Sequence, residues 1–164
     1  SEPAQVAVTV TGSPLTCNPV ATPQPICRRE STVLHALPGG GSGNYTFSWS
    51  ATPGSFTSIL QDPVVTPDET TLYRLTISDG FNTAAGTVNV QVKPIPDLSG
   101  WPGDTTACLY STVRLDAGNP GASYLWSNGA VTQTITVGYD GNPADTYYVD
   151  VTLNNCPGSD TVGR

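Results

Sequence analysis

The chain has 164 residues, a formal net charge of −7 and a single lysine, and only 12% of its residues are charged. Because phosphate binding depends on clustered Lys and Arg, this balance argues against nucleic-acid binding and against an anionic membrane surface. No apolar run approaches the roughly 20 residues of a membrane-spanning helix, so direct membrane insertion is not expected. Short runs of Val, Ile, Thr, Tyr and Trp between Gly, Pro and Asn clusters instead predict an all-β protein.

One strand pattern occurs twice, with a period of about 80 residues. Residues 6–10 resemble residues 88–92, and each run is followed by a proline-containing tail and a cysteine, Cys27 or Cys108. After each cysteine come a strand, a turn and a second strand that carries a tryptophan. The repeat predicts two tandem antiparallel sandwiches with a separate β-strand at the N-terminus.

Five segments are expected in chain order: a lone strand, a Pro-rich linker, a first sandwich, a second linker and a second sandwich, at 1–15, 16–26, 27–94, 95–106 and 107–164. The prolines lie between the β-runs, where no ladder hydrogen bond is lost. The run at 88–92 closes the first sandwich. No matching run precedes the end of the chain, so the second sandwich is expected to lack its last strand.

Four cysteines in a chain of this kind are expected to form two disulfides in an oxidising, extracellular compartment. Cys27 and Cys108 are equivalent in the repeat, Cys156 follows the long strand of the second unit, and Cys17 lies shortly before Cys27. We therefore predict a Cys17–Cys27 bridge, which would close the Pro-rich linker into a loop, and a Cys108–Cys156 bridge. Zinc is the competing interpretation, but no Cys-x2-Cys pair is present, and we predict no metal site.

Aromatic residues recur at matched positions in alternating strands. They are predicted to anchor the two cores, and they are Trp49, Tyr73, Trp126 and Tyr148. Trp101, in the second linker, is the better candidate for a surface role, such as stacking on a sugar.

No set of residues indicates catalysis. The one histidine, His35, lies in an alternating strand, where a structural role is expected rather than a place in a hydrolytic triad. The carboxylates fall mostly in turns, and residues 140–142 with Asp145 lack the dense acidic spacing of a calcium loop. We predict a protein without enzymatic activity and without a cofactor.

Residues 124–129 (Tyr-Leu-Trp-Ser-Asn-Gly), 132–137 and 147–151 resemble the Ig-like/PKD-like repeats of secreted Bacteroidetes surface proteins, and residues 72–80 are similar to the same group. The resemblance implies two tandem Ig-like/PKD-like β-sandwich domains in a secreted cell-surface protein. Such modules serve as spacers and adhesive arrays, and the resemblance implies no catalysis.

Three residues are candidate glycan attachment sites. Asn44-Tyr-Thr46 has the form of an N-glycosylation sequon. Thr105 and Thr161 follow aspartates in short sequences that resemble the Asp-Ser/Thr-aliphatic acceptor for O-glycans in the same bacterial group.

The leading functional hypothesis rests on the apparent offset between a spare strand at one end of the chain and a missing strand at the other. Val6, Val8 and Val10 lie on one face of the opening strand. We expect this strand to enter the second sandwich of the next copy, between or beside strands near 145–153 and 159–163. Copies would then assemble head-to-tail into a surface filament.

Three other interpretations remain open. The chain is a spacer or adhesin segment of a longer tandem array; it is a two-domain monomer whose opening strand belongs to its own first sandwich; or it is a carbohydrate-binding accessory module that uses Trp101. The expected partners are therefore copies of the same chain and surface glycans.

Overall fold

The computed structural model describes residues 12–100, 111–138 and 146–162, with side chains as far as residue 158 in the last range. These ranges contain strands, turns and loops but no helix, and hence no helix that is long and apolar enough to span a membrane. The chain divides into two compact units between Val92 and Lys93. The prediction of an all-β fold in two tandem sandwiches is confirmed.

The first unit is built from short strands and three long ones. They are β1 (Thr16–Cys17), β2 (Val20–Thr22), β3 (Ile26–Cys27), β4 (Thr32–His35), β5 (Pro38–Gly39), β6 (Thr46–Thr52), β7 (Thr57–Ser58), β8 (Val64–Val65), β9 (Thr71–Ser78), β10 (Thr83–Val90) and β11 (Val92–Lys93), the last at the boundary. Two sheets dominate, with strand orders β10-β9-β6-β7 and β2-β4-β8. Two small pairs, β1 with β5 and β3 with β11, complete the described part of the unit.

Strand β9 shows why this unit folds as a sandwich. Its residues alternate strictly between buried and exposed, so that Leu75 and Ile77 face the core. The register of β6 against β9 places Trp49 opposite Leu75. Leu34, from the other sheet, belongs to the same buried cluster. Burial contributes about 1.5–3 kcal/mol for each large apolar side chain, and this packing holds the two sheets together.

The segment 16–26, expected to be a linker, is instead part of the first sandwich. It contributes β1 and β2 and begins β3, and Ala21 pairs with Leu34 in the sheet. Ala21 and Ile26 are both buried in the core, and the N–H of Ile26 donates to the carbonyl of Gln91 over 3.1 Å. The linker prediction is therefore wrong, because prolines at sheet edges interrupt the strands without removing their apolar residues from the core.

The second unit repeats the plan with fewer described strands. They are β12 (Thr112–Asp116), β13 (Ser123–Trp126), β14 (Thr134–Gly138), β15 (Tyr147–Leu153) and β16 (Cys156–Val162). β12 pairs with β14, and the other sheet has the order β13-β15-β16. The core of this unit centres on Trp126, Leu115 and the fully buried pair Val149 and Val151.

The second unit contains a closing hairpin strand, although the sequence analysis predicted that its last strand would be missing. β16 pairs antiparallel with β15 from Tyr147↔Val162 to Leu153↔Cys156, as β10 pairs with β9 in the first unit. The turn between them is the dipeptide Asn154-Asn155, with φ values of 54° and 67°. Asparagine tolerates this left-handed conformation, which a two-residue hairpin turn requires.

The sequence analysis expected a strand only near 159–163, whereas β16 begins at Cys156 and includes Pro157 and Gly158. Proline is accepted there because β16 lies at the edge of its sheet, where one side of the strand makes no ladder bonds with a neighbour among the described residues. The expectation of a second sandwich without its last strand is therefore wrong.

The second expected linker, 95–106, is attached to the second unit in its described part. Leu98 packs against the core of that unit. The N–H of Asp97 donates to Oδ1 of Asn119 over 2.8 Å, and Nδ2 of Asn119 donates to the carbonyl of Asp97 over 2.9 Å. Residues 101–106 lie outside the described ranges.

Candidate functional site: loops and edge strands of the two units

The two matched tryptophans are core residues that also hold a loop. Trp49 and Trp126 are each 1% exposed. Nε1 of Trp49 donates to the carbonyl of Leu60 over 3.0 Å, and Nε1 of Trp126 donates to the carbonyl of Thr132 over 2.7 Å. Neither indole presents a face on which a sugar could stack, so both rings serve the fold.

A second matched pair, which the sequence analysis missed, consists of tyrosines at the start of the tryptophan strands. The hydroxyl of Tyr45 donates to the carbonyl of Gly40 over 2.5 Å. The hydroxyl of Tyr124 lies 2.6 Å from the carbonyl of Asn119 and 2.8 Å from that of Gly118. Burial raises the pKa of Tyr124, and the negative charge of Asp116 adds to the effect. A tyrosine directly after a Gly-rich turn in both units was the available signal.

The other two predicted anchors differ from one another. Tyr73 is 3% exposed and packs edge-to-face on Phe56, with ring centroids 5.6 Å apart, and burial raises the pKa of Tyr73. Tyr148 is 51% exposed, so the prediction that it anchors the core is wrong. Its neighbour Val149 is fully buried, because consecutive strand residues point to opposite faces.

The predicted disulfide pairing is wrong. Cys17 is a free, half-buried thiol, whereas Cys27 and Cys156 are disulfide-bonded. A Cys17–Cys27 bridge is thereby excluded, and a Cys108–Cys156 bridge would leave Cys27 with no partner. Cys17 lies in β1 with its Sγ 4.0 Å from the carbonyl of Leu75, which it contacts as a weak donor, and burial raises the pKa of its thiol.

One buried carboxylate organises the loops at one end of the first unit. Oδ1 of Asp79 accepts hydrogen bonds from the N–H groups of Phe81 (2.9 Å) and Asn82 (2.7 Å), and Oδ2 accepts one from the N–H of Ser42 (3.1 Å). The N–H groups of Asn82 and then Phe81 are the main cause of a pKa below the usual range for the Asp79 carboxyl. A Cβ on Gly41 would lie 2.5 Å from Oδ2, so a larger residue would displace the carboxylate.

Beside this carboxylate a groove of about 760 Å³ opens at the surface of the first unit. One wall is the segment 12–15, held in place by a hydrogen bond from the N–H of Gly41 to the carbonyl of Ser13 (2.9 Å). The other wall is the β9–β10 turn, at whose tip Phe81 is 89% exposed. We call residues 12–15 and 79–83 the loop-end groove.

The remaining predicted residues fall in different places. Asn44 is exposed in the loop before β6, and Thr161 lies in β16 opposite Tyr148. Six positions lie outside the described residues: Val6, Val8, Val10, Trp101, Thr105 and Cys108.

The single histidine is part of a local structural contact. Nδ1 of His35 lies 3.6 Å from Oδ1 of Asp62, which also accepts a hydrogen bond from the N–H of Ala36 over 3.2 Å. Across the described ranges, no three His, Cys, Asp or Glu side chains are grouped so as to hold a metal ion. The calcium candidate at 140–145 lies outside those ranges.

The expected acceptor for a donated strand changes with the structure. β15 and β16 pair directly along their whole length, so no strand can be inserted between them. β16 has β15 as its one strand neighbour among the described residues, and Pro96 borders it at Gly158, where an added Cβ would lie 3.2 Å from Cγ of the proline. Addition beside β16 is the remaining geometry.

No protein-family model matches the chain, and no curated protein sequence matches it. Among solved structures, it is similar to titin domains I67–I69, with 12% identity, a TM-score of 0.50, and coverage of 88% of this chain and 64% of that one. It is also similar to three domains of the bacteriophage RB49 outer capsid protein Hoc, with 17% identity, a TM-score of 0.47, and coverage of 92% and 58%. For murine CEACAM1b the identity is 13%, the TM-score 0.40, and the coverage 91% and 98%.

These identities show the fold alone. The chain spans less than two thirds of the length of the titin fragment and of the Hoc fragment. Together with the sheet orders of the two units, the likeness to titin identifies an immunoglobulin-like β-sandwich fold.

Proposed function

We propose that the chain is a non-enzymatic structural module of a secreted, surface-exposed protein, in which two Ig-like units act as a spacer within a tandem array. The observation that carries this proposal is the recurrence of one set of structural devices in both units. Each unit has a buried tryptophan bonded to a loop carbonyl and a tyrosine bonded to the turn before its strand. The repeated features are therefore the contacts that stabilise each sandwich. Tandem sandwiches stabilised in this way supply length and rigidity.

Two further observations support a surface location. Cys27 and Cys156 are disulfide-bonded, and disulfides persist mainly in oxidising compartments outside the cytosol. The strand and turn sequences resemble Ig-like/PKD-like repeats of secreted Bacteroidetes proteins. We therefore propose that the chain belongs to that group of repeats.

The test is the mass and assembly state of the natural polypeptide. Protein extracted from the surface of the producing cells should give a chain well above the 17.0 kDa of this sequence, without self-assembled polymers in electron micrographs. A mature chain of that mass that forms polymers would overturn the spacer proposal.

A second candidate is a filament subunit that donates its opening strand to the next copy. The observation that favours it is the position of β16 at the edge of its sheet, since an exposed edge can accept a strand by β-augmentation. Val6, Val8 and Val10 would be the donated face, laid beside β16. Of the two geometries expected from the sequence, insertion between the strands or addition beside them, the candidate keeps the second.

Deletion of residues 1–11 tests the filament directly, because it removes the donor strand and leaves the described segment 12–17 in the first sandwich. Filaments seen by electron microscopy with the full chain should be absent with the shortened chain. A second variant, Val8→Ser, should weaken assembly without altering the circular dichroism of the monomer. Polymers that survive the deletion would rule the candidate out.

A further inference from the structure

Three loops of the first unit border a surface cavity of about 490 Å³, a volume typical of small-ligand sites. The loops are the connection from β4 to β6 at 36–45, the loop after β7 at 59–63 and the β9–β10 turn at 79–82. The lining residues are 43–47, Gln61 and 78–80. We call this site the three-loop cavity. Loops at one end of an immunoglobulin-like sandwich are a usual position for binding residues.

The first unit has longer loops here than the second. The connection 36–45 corresponds to 117–122 in the second unit, and the turn 79–82 corresponds to the dipeptide Asn154-Asn155. The surrounding hairpins are alike, since β10 pairs with β9 as β16 pairs with β15. The extra loop residues are therefore an addition to a shared scaffold, which is where binding residues concentrate.

Hydrogen bonds hold the three loops in place. The N–H of Ser42 donates to Oδ2 of Asp79 over 3.1 Å, and the Ser42 hydroxyl donates to the carbonyl of Asp79 over 2.9 Å. The two neighbours of Gln61 are also fixed: the carbonyl of Leu60 accepts an indole hydrogen bond, and Oδ1 of Asp62 accepts a backbone N–H. Because these loops are already ordered, a ligand would bind without the entropic cost of ordering them.

Two carboxamide side chains line the cavity from different loops. Asn44 and Gln61 are both exposed. Neither carboxamide has a hydrogen-bonding partner among the residues that the structure describes. A carboxamide carries two N–H donors and a carbonyl acceptor. The pair can therefore donate to, and accept from, a ligand with adjacent hydroxyl groups.

The charge of the cavity disfavours anionic ligands. Its lining residues include no lysine or arginine. Its one carboxylate, Asp79, is ionised at neutral pH, because backbone N–H groups lower its pKa. Phosphate, sulfate and carboxylate groups would be repelled. The half-buried rings of Tyr45 and Phe47 supply apolar surface, and the Tyr45 hydroxyl is fixed by its bond to Gly40.

We propose that the three-loop cavity binds a neutral sugar, with the carboxamides of Asn44 and Gln61 as its hydrogen-bonding groups. Sugar hydroxyls both donate and accept, and the C–H groups of a sugar ring suit the aromatic part of the lining. This site does not involve Trp101. The inference goes beyond the spacer function, which requires no ligand. In a tandem array, weak single sites of this kind would bind together by multivalency.

A glycan array probed with the full chain tests the class of ligand. The chain is produced in cells that do not glycosylate asparagine, so that Asn44 keeps its carboxamide. We expect binding to uncharged oligosaccharides and none to those with uronic acid or sulfate groups. In calorimetric titration with the best neutral glycan, Gln61→Ala and Asn44→Ala should each weaken binding by about fivefold or more, because each removes hydrogen bonds to the ligand.

Asn89→Ala is the matched control. It removes an exposed carboxamide from β10, outside the cavity, and should leave the affinity unchanged. The proposal is overturned if the folded chain binds no neutral glycan, or if it prefers acidic ones. An affinity that neither Gln61→Ala nor Asn44→Ala changes would overturn it as well. The mass of the natural polypeptide is a separate measurement, so failure here leaves the spacer proposal to its own test.

Discussion

The indole N–H of Trp49 donates to the backbone carbonyl of Leu60 across 3.0 Å. The ring is almost completely buried, whereas the side chain of Leu60 is 63% exposed, so the bond ties a surface loop to the centre of the sandwich. Trp126 and Thr132 repeat this relationship in the second unit, at 2.7 Å. Each unit thus uses one residue both to fill its core and to fix a loop.

Replacing the tryptophan separates these two effects. Trp49→Phe should lower the free energy of unfolding of the first unit by about 1–3 kcal/mol, because an acceptor loses its donor and the ring is smaller. Trp49→Ala should cost about 3–5 kcal/mol. Urea unfolding followed by far-ultraviolet circular dichroism measures both, with Tyr148→Phe as an exposed-ring control. A stability of Trp49→Phe within 0.5 kcal/mol of the parent would contradict the role of the hydrogen bond.

Acid should loosen the loop end of the first unit through Asp79. Its carboxyl has a folded pKa below the usual aspartate value of 3.8, which we take for the unfolded chain, because backbone N–H groups donate to the ionised form. The resulting stabilisation is complete above that unfolded value and is lost as the pH falls through the lower, folded one.

Asp79→Asn should abolish this part of the pH dependence, because the asparagine side chain does not ionise. It should also lower the stability at neutral pH, since the side-chain NH2 group of the asparagine would face the N–H of Ser42 and could not accept its hydrogen bond. The free energy of unfolding of the variant and the parent, measured from pH 6 to pH 2, should therefore converge at the acid end. Asp68→Asn, at a side chain that is 72% exposed, is the control. Parallel curves across the whole range would show that Asp79 does not carry the effect.

The thiol of Cys17 should react slowly in the folded protein. Its burial and raised pKa reduce the thiolate that attacks an alkylating reagent. At pH 8 without reductant, we expect iodoacetamide to label Cys17 about tenfold more slowly in the folded chain than in urea. Peptide mapping identifies the labelled residue, and a Cys17–Cys27 disulfide peptide would refute the assignment of a free thiol.

Gly86 should be intolerant of a side chain. A Cβ there would lie 2.5 Å from Cδ of Pro19 and 2.7 Å from the carbonyl oxygen of Cys17, so the backbone of the neighbouring segment would have to move. Gly86→Ala should destabilise the first unit by about 1–3 kcal/mol. Gly138→Ala, where no atom lies within 4 Å of the added carbon, should stay within about 0.5 kcal/mol in the same urea titration. Equal effects at the two glycines would contradict the close approach at Gly86.

Much of the fold was predictable because strand periodicity is local. The alternation of residues 71–78 predicts which side chains are buried, and the structure buries Leu75 and Ile77 accordingly. The repeat also pointed to the matched tryptophans. Tyr148 shows the limit of such reasoning: two adjacent tyrosines both suit a strand, and the pairing of β15 with its neighbours decides which strand positions face inwards.

The misreadings share a cause. Segment 16–26 looked like a linker because its prolines suggest irregular backbone, and at the end of the second unit a strand was expected only near 159–163, after Pro157. Proline is compatible with strand pairing at the edge of a sheet. Which strands form the edges is known only once the sheet is assembled, so the sequence does not show it. The sequence also could not predict which cysteines form a disulfide. A bridge requires Cα atoms within about 7 Å of each other, and the spacing of cysteines along the chain does not give that distance.

Composition and periodicity alone were enough to specify an all-β chain with two repeated sandwiches, because burying alternate apolar residues is a requirement each strand meets locally. Only the packing of distant segments decided which strands lie at the sheet edges. The same packing leaves Cys17 as a free thiol and places Phe81 beside a surface groove. Those features depend on which surfaces meet in three dimensions.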